Sequence, residues 1–360
     1  MKSRIFRAGV VGYGRIAESA HVPAWSRLPF VDVVAVADTC PERRAAAAAA
    51  LPDTRQYETC AEMLGAEALD VLDICTPPSD HTTSILAGCK ANVSRIVCEK
   101  PLAASQAEYR AISSAQATSG SQVYTVNSWF QSDLHRLVSK VLKSGEIGRI
   151  KHIELRTLRP DCALGVPSWH PRWRTEPRYA GGGIVLDHGW HQLYLMANWI
   201  DADPVGVRAK LDTLLPKHAP VEDFAVLDLQ FPAATGRIEL SWAAPSRTND
   251  GRIVGSRGTI SIEDDRLLIE ARGNIYAEPY GERLSDSSYH PEWFVALFGN
   301  VLNDTNRLEG SNNLREAGML MTTLCQAYGR PADMLDRVAA ASSTHVYAAV
   351  EMPPMAVGWS

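Results

Sequence analysis

Val10-Val11-Gly12-Tyr13-Gly14-Arg15-Ile16-Ala17 is the stretch whose reading decides the fold. It closes an apolar run, Ile5 to Val11, and opens a helical pattern. Gly12 permits a tight strand-to-helix turn. Gly14 leaves room for a pyrophosphate against the backbone, where N–H groups at a helix start meet negative charge. A Gly-x-Gly-x-x-Ala match is weak by itself. Here a second apolar run, Val31 to Ala37, ends at Asp38, about 20 residues beyond the turn, where a carboxylate meets a ribose 2′-hydroxyl. Together they imply a bound dinucleotide. Asp38 favours NAD over NADP because it would repel a 2′-phosphate, a preference that Arg43 would soften.

The chain has 360 residues, which favours two domains. A hydrophobic share of 46% with 21% charged residues fits a globular core in water. Net charge is −5 and no basic run occurs, which argues against a nucleic-acid partner. No apolar stretch is long and clean enough for a membrane span; the best, 184–200, carries Asp187, His188 and His191. The start, Met1 to Arg7, reads as the lead into a first strand with no export signal. Seven scattered cysteines include no Cys-x-x-Cys, so neither a zinc site nor a disulfide framework is expected, and a reducing cytoplasm fits.

Residues 1–125 alternate apolar runs (5–11, 31–37, 70–75, 94–98, 122–126) with helical stretches (15–27, 41–50, 80–91, 105–118). Pro41, Ser79 and Ser105 mark helix starts. This rhythm predicts a parallel sheet covered on both faces. It changes at 126. A helix at 133–144 and a strand at 150–157 precede an irregular, Trp- and Arg-rich segment, 158–183. A helix at 184–200 follows, then crowded strands at 204–212, 222–231, 235–243, 252–256, 259–263 and 266–271, as in an antiparallel sheet. Helices at 291–303 and 312–328 finish the body. The reading is α/β: a dinucleotide-binding domain (1–125), a substrate-binding and oligomerisation domain (126–345), and an irregular tail (346–360).

Three residues stand out for chemistry. Lys100, in Glu99-Lys100-Pro101, follows the run at 94–98, at the sheet edge where ligands sit. An ammonium there lowers the cost of alkoxide character as a hydride leaves carbon. Asp187 and His191 are four apart on a helical stretch, so they share a face and suggest a carboxylate orienting a general-base imidazole. His188 lies about 100° round from Asp187. The triple glycine Gly181-Gly182-Gly183 would let the backbone run close to something large. Asp187, His188 and His191 lack the spacing of a metal site, and none is expected. The segment 167–179, with Trp169 and Arg174, suits a loop over a polyol or sugar. Its arginines would instead favour an anionic group on the ligand.

In order and separation, these pieces resemble the Gfo/Idh/MocA oxidoreductase family over residues 4–330. The carriers are Gly12 to Ala17, Asp38, Thr76-Pro77-Pro78 with His81, Glu99-Lys100-Pro101, and Gly181-Gly182-Gly183 running to Asp187 and His191. The resemblance implies a Rossmann domain followed by an α/β domain whose open, largely antiparallel sheet makes a homodimer or homotetramer. It places Gly12, Gly14, Arg15, Ile16, Asp38, Thr76, Pro77, His81, Glu99 and Lys100 at the cofactor, with Lys100 between cofactor and substrate. Asp187 and His191 would line the substrate pocket. Trp129, where the family often has arginine, and His188, where an apolar residue is common, are the expected specificity positions.

The resulting expectation is an NAD(H)-dependent oxidoreductase acting on a secondary alcohol or ketone of a sugar, cyclitol or aminocyclitol. Two alternatives stand beside it. One is an NAD-dependent glycosidase that oxidises its sugar transiently; the other is a non-catalytic NAD-binding regulator.

Overall fold

The computed structural model describes residues 5–303 and 314–329. The expected irregular tail, 346–360, and the chain start before residue 5 lie outside the described residues. Six strands, β1 (Phe6–Val11), β2 (Val31–Ala37), β3 (Arg55–Tyr57), β4 (Val71–Ile74), β5 (Arg95–Cys98) and β6 (Gln122–Thr125), form a sheet ordered β3-β2-β1-β4-β5-β6. Every pairing in it is parallel. This is the doubly wound dinucleotide-binding order, whose ligand crevice opens where β1 and β4 part. All four residues of β4 are buried, as a strand covered on both faces requires.

Helical segment 15–25 follows β1 and is not uniform: Ala17–His21 forms a π-helical turn before α1 (Val22–Trp25). The helices α2 (Pro41–Ala50), α3 (Cys60–Ala66), α4 (Pro78–Lys90) and α5 (Gln106–Thr118) follow. Ser105 caps α5 by accepting from Glu108 N–H, as its position predicts. Ser79 is not a cap: α4 begins at Pro78, whose missing N–H costs nothing in a first turn. Strand β3 and helix α3 escape the sequence pattern. Exposed Arg55 with half-buried Gln56 and Tyr57 makes no apolar run, and α3 buries only Met63.

The second sheet holds β7 (Ile150–Leu158), β8 (Gly206–Asp212), β9 (Phe224–Gln230), β10 (Thr235–Ser241), β11 (Thr248–Gly255), β12 (Gly258–Ile262), β13 (Arg266–Ala271) and β14 (Asn274–Pro279). Its order is β14-β13-β12-β11-β7-β10-β9-β8, antiparallel except for the β7–β10 pair. Strand β14, exposed on alternate residues and weakly apolar, is absent from the sequence reading. Along β7, Ile153, Leu155 and Thr157 are buried while Glu154 and Arg156 face outward. The inner face packs against α6 (Asp133–Ser144), α8 (Trp190–Ile200) and α10 (Leu314–Ala327), after the short α7 (Pro177–Ala180). The outer face carries paired charges such as Arg156–Asp250 and Arg237–Asp228, both at 2.6 Å.

Helix α9 (Pro291–Leu302) turns back to the first domain. Its Phe298 stacks on Trp25 at 3.9 Å, and Phe294 lies 4.7 Å from the ring of His21. No described helix is long and apolar enough to cross a membrane.

Candidate active site

The glycine turn sets the crevice. Gly12 has φ +84°, and a Cβ there would lie 2.9 Å from Thr76 Cγ2 and 3.0 Å from Thr76 N. Only glycine combines that dihedral with that approach. A Cβ on Gly14 would meet nothing within 4 Å, because it would project into the open cleft. Asp38 is clamped by main chain: Tyr13 N–H donates to one carboxylate oxygen at 2.7 Å and Cys40 N–H to the other at 2.8 Å. Arg43 is tied back to Tyr13 O and Glu18.

The cleft measures about 390 Å³ and is lined by Gly12, Gly14, Arg15, Ile16, Asp38, Thr76 and Pro77, with Trp169 and Arg174 closing it from the other domain. Thr76 Oγ1 is buried there without a hydrogen-bond partner. A cradle that a Cβ would fill, an acid at the β2 edge and an orphan hydroxyl fit a dinucleotide.

His81 is placed differently from the expectation. It is fully buried beneath the cleft, with Nδ1 2.8 Å from Pro101 O and Nε2 2.8 Å from Thr76 O. Burial holds its pKa below the ordinary value. It joins the loop after β4 to the loop after β5, and so positions Thr76 and Lys100 instead of lining the cleft. Lys100–Pro101 is a cis peptide.

Glu99 leads into a buried charge network absent from the sequence reading. His21 Nε2 is 3.0 Å from Glu99, and Nδ1 is 2.9 Å from Asp73, whose other oxygen accepts from Trp25 Nε1 at 2.8 Å. Burial would lower the His21 pKa, but Asp73 and its other buried partners raise it well above the ordinary value. Partial burial would raise the pKa of Glu99, but His21, with Lys100, holds it below its ordinary value. A histidine nine residues after Gly12 was the available signal.

Lys100 reaches across the domains to Asp187: Nζ donates to Asp187 Oδ1 and to its carbonyl oxygen, both at 2.7 Å. Asp187 Oδ2 lies 3.2 Å from His188 Nδ1 and 3.6 Å from Arg174 Nε. Burial opposes ionisation of Asp187, but Lys100, His188 and Arg174 hold its pKa well below the carboxylate range.

The expected Asp187–His191 pair does not form; His191 Nδ1 is buried with no hydrogen-bond partner. Val185–Gly189 is a π-helical turn, and the Asp187 carboxylate on it is taken by Lys100 and His188. Burial, Lys100 and His188 keep His191 well below its ordinary pKa, and burial brings His188 down to about 4. Both rings are neutral at pH 7.

The triple glycine serves packing. A Cβ on Gly183 would sit 2.0 Å from Glu222 O, and one on Gly182 2.4 Å from Tyr328 Oη. The Glu222 carboxylate accepts from Gly183 N, Val185 N and Tyr328 Oη. What the backbone runs close to is therefore the protein itself, and the Asp187 turn is pinned by it.

A second pocket of about 190 Å³, lined by Lys100 and Asp187, adjoins the cleft through Arg15, Ile16, Thr76 and Arg174. Arg174 lines both, its guanidinium 4.3 Å over Trp173. Trp169 closes only the cofactor cleft. Trp129 is beside His191, ring centres 6.4 Å apart, on a loop held by Trp190 Nε1 donating to Asn127 Oδ1 at 2.8 Å. Trp242 and Tyr289, which also line this pocket, were missed; each lies just beyond a regular segment with no motif of its own. The loop carrying Trp169 and Arg174 is fastened by Asp161, which accepts from Lys217 Nζ and meets His218 Nε2, each at 2.6 Å.

Two family models match the chain, the oxidoreductase family with an NAD-binding Rossmann fold over residues 6–128 and the GFO/IDH/MocA C-terminal domain over 135–261. The chain belongs to the GFO/IDH/MocA oxidoreductase family. Among curated relatives, D-apiose dehydrogenase of Paraburkholderia graminis is 31% identical over 40% of this chain and 38% of its own length. Inositol 2-dehydrogenase of Rubrobacter xylanophilus is 28% identical over 81% and 80%. The chain spans about half the length of the first curated relatives it matches. The fold is that of an Agrobacterium radiobacter oxidoreductase solved with NAD+, L-tartaric acid and magnesium: TM-score 0.79, 19% identity, 91% of this chain and 96% of that one.

Proposed function

We propose that this member of the family is an NAD(H)-dependent dehydrogenase or reductase of a secondary alcohol or ketone on a monosaccharide-sized sugar or cyclitol. The observation that carries the reading is the Lys100–Asp187 pair, formed across two domains on the wall of a second pocket that adjoins the dinucleotide cleft. At about 190 Å³ that pocket is smaller than the roughly 300–1,000 Å³ of drug-sized sites. It suits one sugar ring. Relatives named for apiose, inositol and levoglucosan point the same way.

Gly12, Gly14, Arg15, Ile16, Asp38, Thr76 and Pro77 would hold the cofactor, which when bound accepts or returns a hydride at its nicotinamide ring. An ammonium has three donors, and Asp187 occupies two. The third serves the reacting oxygen and stabilises its negative charge as the C–H bond breaks. Asp187 orients Lys100. Neutral His191, with Nδ1 unpartnered, accepts the hydroxyl proton in oxidation and returns it in reduction. Trp129, beside His191, and His188, on Asp187, set which ring face is presented. The open, charge-paired face of the second sheet is the surface we assign to a homodimer or homotetramer. Seven unpaired cysteines fit a cytoplasmic setting.

The test is an NADH-fluorescence screen over sugars, cyclitols and their keto forms. Net NADH formation with one substrate, lost in Lys100→Met and His191→Ala with NADH binding retained, is the expected result. Wild-type rates in both variants would sink the mechanism. Sugar hydrolysis without net NADH would move the reading to a glycosidase, and NAD binding without turnover to a regulator.

A further inference from the structure

The second pocket is rich in hydrogen-bond donors and poor in free acceptors. Arg174 Nε is buried there without a hydrogen-bond partner, 3.6 Å from the Asp187 carboxylate. The carboxylates on its wall are already engaged: Glu99 by His21, Asp187 by Lys100 and His188. A neutral polyol presents hydroxyl donors as well as acceptors and needs carboxylates or carbonyls to meet them. This wall offers the opposite.

The charges agree. Arg15, Lys100 and Arg174, three cations, line the pocket against two acids, Glu99 and Asp187. Behind it lies Arg159, 4% exposed, with no carboxylate partner among the described residues. Its guanidinium donates only to neutral oxygens, Leu158 O at 2.7 Å, Thr248 O at 3.0 Å and Asn249 Oδ1 at 2.8 Å, and its Nε has no partner. A buried cation without a counter-ion is unfavourable unless something supplies the missing charge. Its field reaches Asp187, His188 and His191. Arginine's planar fork matches a carboxylate, and Arg174 stands where the cofactor cleft meets this pocket.

We infer that the substrate is an acidic sugar, a uronate or aldonate, whose carboxylate is received by Arg174, with Arg159 supplying charge from behind. This rests on the dehydrogenase reading for what happens next, but the binding claim can be tested apart from turnover. The protein with saturating NADH is titrated with D-glucose, D-glucuronate, D-gluconate and D-glucose 6-phosphate, following NADH fluorescence and heat of binding. The expected result is that an acidic sugar binds at least about tenfold tighter than glucose. Arg174→Gln brings the ratio close to one, and Arg174→Lys, which keeps the charge but loses the fork, retains part of it.

Equal affinity for glucose and both carboxylates, or a preference that survives Arg174→Gln, overturns the inference. So does a preference for the 6-phosphate alone, which would make the anion a phosphate. An Arg174-dependent carboxylate preference with no turnover leaves the anion site standing and removes the dehydrogenase reading. Turnover of neutral sugars with no carboxylate preference does the reverse.

Discussion

The cofactor cleft and the second pocket share a wall but are held by different forces. Around the cleft, neighbours in sequence and main-chain groups do the holding: Asp38 is fixed by Tyr13 N and Cys40 N, and Gly12 by its approach to Thr76. Around the pocket, ionised side chains far apart in the chain hold one another, as in Lys100 with Asp187, Arg174 with the same carboxylate, and His21 with Glu99 and Asp73. Hydrogen bonds from main-chain N–H groups weaken with added salt less than pairs of opposite charges do. The first kind suits a ligand common to many enzymes. The second can be retuned one residue at a time.

The sharpest way to break this contrast is Lys100→Met. We expect kcat/KM to fall about 10²–10⁴-fold, with the NADH dissociation constant nearly unchanged in a fluorescence titration; a matching loss of NADH affinity would mean that the two regions are one. Next is His21→Gln. Removing one partner of a buried charge network should cost about 3–5 kcal/mol in denaturant melts at acidic pH. Because the His21 pKa is raised on folding, its contribution is complete below the unfolded value near 6.5 and is lost as pH rises through the folded value. The gap between variant and wild type should therefore narrow with rising pH, and a gap constant from pH 6 to 10 would make the network neutral.

On the cleft side, Asp38→Ala should weaken NADH by about 1.5–3 kcal/mol, tenfold or more, and narrow the preference over NADPH. That loss should not depend on salt as the Lys100 effect does. Gly12→Ala should destabilise the fold by about 1–3 kcal/mol through strain at positive φ, seen as a lower Tm at every pH. The smallest effect belongs to His188. Its pKa is about 4 in the fold against 6.5 in the unfolded chain, so wild-type stability should climb between those values. His188→Asn should flatten that climb by about 1–2 kcal/mol after partial solvent screening.

The same contrast explains what could be read in advance. Gly12, Gly14 and Asp38 act through spacing along one βαβ unit, so their geometry is written locally. Lys100 and Asp187 were identified separately, yet their partnership was assigned to Asp187 and His191. Helical spacing cannot reveal that Lys100, 87 residues earlier, takes the Asp187 carboxylate. His81 was placed against the cofactor because it follows Thr76 in the motif, while its two carbonyl partners are visible only once β4 and β5 lie side by side. Arg159 and Trp242 gave no signal at all. A buried arginine is informative only when it is known to lack a counter-ion, and that depends on every other segment.

Helix α9 bears on how such a protein can be recombined. It follows the last strand of the second sheet, yet Phe298 and Phe294 seal Trp25 and His21 in the first domain, while Trp293 lies 5.6 Å from Trp129, the two lining a small pocket with Ile16 and Tyr289. A chimera that exchanged everything after residue 126 would import a foreign plug for the first domain's core. One that kept residues 291–302 with the dinucleotide domain and exchanged only what lies between would inherit a matched plug, but would have to fit its new pocket around Trp293. The unit of inheritance in this fold is thus an inserted middle, clasped at both ends by the domain it interrupts.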